Sequence, residues 1–240
     1  MSYEKYIPAD LLALYEVYDY RHAAAILATE FPEEFAELCA ALSRFRFTDE
    51  QVMARGGSET EIPKTFSALL RPRWKEEQLT AKLIVGDETK EVSTHKVDYI
   101  RGRVAFDLEW NSKDQTFDRD LTAFRAFHEW DKISVGVLAT RSKELRPWFK
   151  SLGTYVEKDR KGDDRTKRYS DKYAASHTDL PQLLRRLVAG RHGECPVLVF
   201  GITTRLVLTR SSVYGRLLTV LKNPSQNLVS LINAVSPQAS

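Results

Sequence analysis

Two uninterrupted apolar runs, 133-ISVGVLAT-140 and 196-PVLVFGIT-203, constrain this 240-residue chain more than any other feature. Each has the length of a strand, and neither alternates with polar residues. A strand that faces water on one side alternates, whereas a run that is apolar throughout must be covered on both faces, as in the middle of an α/β sheet. Helical patterns supply the covers. Residues 8–28 carry Leu11, Leu12, Leu14, Tyr15, Tyr18, Ala23, Ile26 and Leu27 at helical spacing and predict one helix. Pro32 opens a second, PEEFAELCAALSRF, with acids in the first turn where the helix dipole favours them. The segment 63-PKTFSALLRPRWKEEQ-78 begins as a helix that Pro72 interrupts. Residues 117–130 set Phe117, Leu121, Phe124 and Phe127 or His128 on one face of an amphipathic helix. Gly56-Gly57-Ser58 is a break, and 80-TAKLIVGDETKEV-92 is a strand pattern turning at Gly86-Asp87. These elements predict one α/β domain over residues 1–240.

Composition narrows the setting. A chain this long buries roughly 70% of its unfolded surface and needs no covalent staple. Cys39 and Cys195 lie far apart in apolar surroundings and read as two buried free thiols of a cytoplasmic protein. The start, MSYEKYIPADLL, has no charged-then-apolar signal pattern, and no run approaches the 18 or so apolar residues of a membrane span. The five histidines show no ligand spacing, which argues against zinc. Net charge is +3, but its distribution is uneven: from Arg141 to Lys172 there are eleven Lys or Arg against six Asp or Glu. The densest part, 157-EKDRKGDDRTKRYSDK-172, is nearly free of apolar residues. It reads either as a solvated loop or as a loop that orders around a phosphate backbone.

The stretch 95-HKVDYIRGRVAFDLEWN-111 reads as two short strands joined around Arg101-Gly102-Arg103. Alternation turns Val104, Phe106, Leu108 and Trp110 one way and Ala105, Asp107, Glu109 and Asn111 the other. The turn brings Asp98 back towards Glu109. Two carboxylates 4 Å apart repel by roughly 4 kcal/mol at an effective dielectric near 20, which a cation between them or a retained proton relieves. Oxygen-only ligands beside a phosphate suit Mg²⁺, and the chemistry is then metal-assisted hydrolysis of a phosphodiester. The competing reading is an amphipathic edge hairpin with its acids in solvent.

Asp98, a ten-residue interval and then Glu109-Trp110-Asn111 resemble the Asp…(Asp/Glu)-x-Lys motif of nucleases, in the subset where another residue replaces the Lys. Around it, 107-DLEWNSKDQTFDRDLTAFR-125, 133-ISVGVLATR-141, 19-DYRHAAAIL-27 and 56-GGSETEIPKTFSALL-70 are similar to the BglII-type restriction endonucleases, relatives of the BamHI and BstYI enzymes. The resemblance covers roughly residues 15–145 and fades after 150. It implies a mixed central β-sheet flanked by helices, with a catalytic core at about 60–145 and DNA-recognition elements mostly after 140. It also implies a homodimer on double-stranded DNA at a palindromic site, and Mg²⁺-dependent cleavage. Carried across, Asp98 and Glu109 are the metal ligands and Asn111 stands where the general motif has Lys. Glu77, or else its neighbour Glu76, is the acid that would complete the site from a preceding helix. Asp107 shares the face but not the offset and takes a supporting role.

Lys113 then becomes a candidate phosphate contact. Thr140, Arg141, Ser142 and Lys143, beyond the carboxyl end of a buried strand, become candidate DNA contacts. Arg185, Arg186 and Arg191 form a second basic zone, equally readable as a solvated helix end. Arg119 and Asp120 open a helix, where the dipole accounts for an acid. The leading reading is a site-specific endonuclease. The alternative is a catalytically inactive DNA-binding protein on the same fold.

Overall fold

The computed structural model describes residues 2–54, 61–158, 161–173 and 177–208. The break at Gly56-Gly57-Ser58, part of the basic segment 157–172 and the chain after residue 208 lie outside the described residues.

In chain order the elements are α1 (Ala9–Leu14), β1 (Tyr15–Tyr20), α2 (Ala23–Glu30), α3 (Pro32–Arg44), β2 (Phe47–Thr48), α4 (Asp49–Met53), α5 (Glu61–Leu70) and β3 (Lys75–Glu77). The hairpin β4 (Thr80–Val85) and β5 (Glu88–Ser93) follows, then β6 (Val97–Arg101), β7 (Val104–Glu109), α6 (Thr116–Glu129) and β8 (Val135–Arg141). The described part closes with α7 (Leu145–Ser151), β9 (Thr154–Lys158), β10 (Asp164–Arg168), α8 (Leu180–Val188), β11 (Val197–Ile202) and β12 (Val207–Leu208).

A six-stranded mixed sheet in the order β1-β11-β8-β7-β6-β3 organises the molecule. The two apolar runs become β8 and β11, adjacent and parallel, with every residue buried. On the other side of β8, β7 is also parallel; β1, β6 and β3 run antiparallel at the flanks. Each face has its own core. Phe106, Leu108, Trp110, Val137 and Phe200 point into a cluster with Leu11, Leu27, Leu38, Phe66 and Phe149 from α1, α2, α3, α5 and α7. Ala105, Leu138, Val197 and Val199 point the other way, against Phe117, Leu121 and Phe124 of α6 and Leu183 and Leu187 of α8. Gly136 lets α6 approach β8 closely: a Cβ there would stand 2.3 Å from the Phe124 ring.

The sequence reading needs two corrections here. Residues 8–28 are not one helix, because Tyr15–Tyr20 forms β1, paired with β11 from Tyr15–Ile202 to Tyr20–Val197. Aromatic and β-branched side chains at Tyr15 and Val17, both buried, suit a sheet edge better than a helix, and tertiary pairing overrides the helical spacing. The basic segment is not a plain loop. Its described residues include a hairpin, β9–β10, that lies outside the main sheet and is cross-linked by Lys158–Asp164 and Lys167–Glu157 ion pairs. An exposed hairpin held by charges leaves no apolar alternation to read.

Candidate active site

Strands β6 and β7 form the predicted hairpin, with Gly102 at φ +54° in the turn and Tyr99–Phe106, Ile100–Ala105 and Arg101–Val104 as cross-strand pairs. The alternation is as read: Val104, Phe106, Leu108 and Trp110 enter the first core, and Ala105 enters the second. Asp107 and Glu109 therefore sit on the face that α6 covers. This is not an edge hairpin with acids in water, because β7 lies between β6 and β8. Asp107 is 3% exposed, Glu109 9%, and Asp120, arriving from α6, 2%.

One bond ties the hairpin at the acids. The Asp98 amide donates to Asp107 Oδ1 at 2.7 Å, so half of Asp107 does the supporting work expected of it. The other half is different. Asp107 Oδ2, Glu109 Oε2, Asp120 Oδ2 and the Asn111 Oδ1 just past the strand are all buried without a hydrogen-bond partner. Buried polar atoms nearly always find partners, and each that does not costs roughly 1–3 kcal/mol.

Electrostatics records the crowding. Burial, with the charge of Asp98 and against the pull of Ser112 and Arg119, brings the Glu109 carboxyl up to about 7. Burial, then the charges of Asp120 and Asp98, holds Asp107 well above the usual carboxylate range. Asp120 is raised in the same way, by burial, Glu109 and Asp98, against Arg119. Among the described residues, no three carboxylate, imidazole or thiol groups converge in metal-ligating geometry. The acids share one face and act on one another, but they are not drawn together.

A family model for restriction endonuclease BglII/BglIII matches residues 15–202. The chain belongs to that family. The match takes in every strand of the six-stranded sheet and extends well past residue 145, where the resemblance read from the sequence fades. A comparison with curated proteins finds none that matches. Membership makes this a restriction endonuclease family chain, that is, one of a family of site-specific DNA nucleases.

Against that identity, the remaining candidates fall in distinct places. Glu77 is exposed on β3, opposite Val97 at the sheet edge, and Glu76 pairs with Lys96 at 2.7 Å; both are strand residues rather than helical ones. Neither is among the charges acting on Asp107, Glu109 or Asp120. Lys113 is exposed past the end of β7, in a lone bridge to His177. Lys143 is exposed beyond β8. Arg185 and Arg191 are exposed, and Arg186 is committed to Asp114 and Asp118.

Three of the candidate DNA contacts are interior groups instead. The Thr140 hydroxyl donates to the Glu109 carbonyl at 2.8 Å, and the Ser142 hydroxyl donates to Glu16. Arg141 is 2% exposed, donates to the Thr178 carbonyl at 2.7 Å and lies over the rings of Trp110, Phe149 and Tyr173. Burial draws its pKa down to about 10. These three side chains are buried and turn inward at the end of β8.

Asp120 is the residue that sequence reading misplaced. It is the fifth residue of α6, past the first turn, so the helix dipole does not account for it. The signal was available. Phe117, Asp120, Leu121 and Phe124 share one helix face by i, i+3, i+4, i+7 spacing, and the other three members are core residues.

Proposed function

We propose that this chain is a type II restriction endonuclease that hydrolyses phosphodiester bonds of double-stranded DNA at a short palindromic site. It would act as a cytoplasmic homodimer with Mg²⁺, on a core of the PD-(D/E)xK kind. The observation carrying this reading is the group of buried, unpartnered oxygens on one face of the β6–β7 hairpin. Carboxylate and amide oxygens are the donor types a hard divalent cation takes, which is what supports the ion in this reading. Asp98 and Glu109 would hold it, with Asp107 supporting the hairpin through the Asp98 amide. When bound, Mg²⁺ polarises a phosphoryl oxygen and eases deprotonation of the attacking water.

The chain's own residues do the rest. Asn111 lacks a proton acceptor for water, and its buried Oδ1 is suited to orienting a hydroxyl or a water. Arg119 is a cation that acts on both Glu109 and Asp120, and it would supply the positive charge missing at Asn111. Lys113 and Lys143, both exposed, would contact the phosphate backbone. A homodimer sets one site against each strand, matching protein symmetry to duplex symmetry.

The test is incubation of mixed plasmid and phage DNAs with wild type and Glu109→Ala, in Mg²⁺ and in EDTA. Discrete fragments that need both Mg²⁺ and Glu109 are expected, and sequencing their ends gives the site. Intact DNA in every lane, with salt-sensitive binding unaffected by Glu109→Ala, would overturn this reading in favour of an inactive DNA-binding protein.

A further inference from the structure

The end of β8 holds the chain that leaves β7, and part of that hold passes through a segment from far along the sequence. Arg141 donates to the Thr178 carbonyl at 2.7 Å, and the Thr178 amide donates to the Ser112 carbonyl at 2.8 Å. Next to Arg141, the Thr140 hydroxyl donates to the Glu109 carbonyl at 2.8 Å. Further on, Arg186 of α8 meets Asp114 at 3.4 Å and Asp118 at 3.0 Å. The segment is thus fastened at Glu109, Ser112 and Asp114, while Lys113, between two of these positions, is exposed. Arginine is a costly way to fill the space among Trp110, Phe149 and Tyr173. Methionine would pack against the same rings without a buried charge. What methionine lacks is a donor for the Thr178 carbonyl.

We propose that Arg141 is a positioning residue for DNA binding: through Thr178 and Ser112 it fixes the backbone of Lys113, so that the lysine ammonium meets a phosphate of the duplex from a preset position. This rests on the reading of Lys113 as a phosphate contact and adds the device that presents it. A lysine on a loose segment loses backbone freedom on binding, besides the freedom of its own side chain. Fastening the segment in the fold removes the first of these losses from the binding step. Arg141 itself does not touch DNA in this arrangement. Its charge stays among the rings, and its effect passes along the bonds to Thr178 and Ser112.

The test is binding of a short mixed-sequence DNA duplex to the full chain in EDTA, followed by fluorescence anisotropy between about 50 and 200 mM NaCl. Each phosphate contact steepens the fall of log K with log salt by about 0.9, and Lys113→Ala should lower the slope by that amount. Arg141→Met, which fills the space among the rings without the donor, should lower it alike. The double variant should go no lower than Lys113→Ala alone. Thr178→Pro breaks the same path at the Ser112 carbonyl and should match them, which keeps the test open should Arg141→Met fold poorly. Leu38→Ala, in the first core, loses stability without touching this path and should keep the wild-type slope, which separates positioning from a weakened fold. A wild-type slope in folded Arg141→Met or Thr178→Pro, with Lys113→Ala reduced, would overturn the role of Arg141 and leave Lys113 as a contact. An unreduced slope in Lys113→Ala, or no salt-dependent binding by wild type, would overturn the reading of Lys113 and the role of Arg141 with it.

Discussion

Two neighbouring strand ends carry buried polar groups, and they are treated in opposite ways. At the end of β8, Thr140 donates to Glu109, Ser142 donates to Glu16, and Arg141 donates to Thr178 among three aromatic rings. At the end of the adjacent β7, where Glu109 pairs directly with Thr140, Asp107, Glu109 and Asn111 each leave an oxygen unpartnered, and Asp120 adds another from the helix above. Both ends carry buried polar side chains, so burial alone does not separate them. Partnership does. A buried polar group that the chain satisfies holds the fold together, and one that the chain leaves open awaits something from outside. Arg141 Nε, Thr178 Oγ1 and Trp110 Nε1 are exceptions on the satisfied side.

The largest expected effect comes from closing off the open side. Asp107→Ala and Glu109→Ala should each lower the cleavage rate by about 10²–10³-fold with folding intact, as read by circular dichroism beside a cleavage assay. Cleavage near the wild-type rate in either would erase the contrast between the two strand ends.

Next is the pH dependence of the metal-free protein. The Glu109 carboxyl titrates near 7 in the fold against an ordinary 4.5, so the fold prefers the neutral acid. Stability from that preference is complete below about pH 4.5 and is lost as pH rises through 7. Between pH 5 and 8.5 in EDTA, unfolding free energy should fall by about 3 kcal/mol, with Asp107 and Asp120 acting in the same direction. The window avoids the carboxylates that lie below their ordinary values, Glu37 and Glu144 among them, whose contribution is lost only at lower pH. Glu109→Gln should flatten the profile, and Mg²⁺ should restore stability at pH 8.5. Urea denaturation at several pH values measures all three.

On the satisfied side, Arg141→Ala should destabilise the fold by about 2–3 kcal/mol. It leaves the Thr178 carbonyl unpaired and a gap between Trp110, Phe149 and Tyr173. Cleavage per folded molecule should fall far less than in Glu109→Ala. Smallest is Thr140→Val, which removes one hydrogen bond at similar volume: about 1 kcal/mol of stability in the same urea series, with cleavage unchanged.

How much of this was legible in the sequence follows the same division. The apolar runs of β8 and β11 announced the middle of a covered sheet, and the alternation around Phe106 assigned each side chain of β7 to its face. Strand β1 was hidden, because Tyr15 and Tyr18 fit a helical stripe as well as a strand and only pairing with β11 decides between them. The β9–β10 hairpin was hidden because charges rather than apolar residues hold it. For the site, the sequence could show that the turn brings Asp98 back towards Glu109, and the two act on each other in the fold. Asp107 was set aside on spacing, and Asp120 was assigned to the helix dipole although its face carried Phe117 and Leu121. In Thr140, Arg141 and Ser142 the sequence supplied polar residues at the end of a buried strand but not their direction, which depends on Glu16, Thr178 and a ring stack assembled from distant segments.

The most direct test of the contrast places Glu109→Gln beside Arg141→Met and measures the thermal midpoint and Mg²⁺-dependent DNA cleavage on the same preparations. The open and satisfied strand ends predict opposite outcomes: Glu109→Gln keeps or raises the midpoint and loses cleavage, and Arg141→Met lowers the midpoint while its folded fraction still cuts. A Glu109→Gln protein that melts earlier and cleaves normally would contradict the account, because the unpartnered acids would then belong to the scaffold and the chemistry would lie elsewhere.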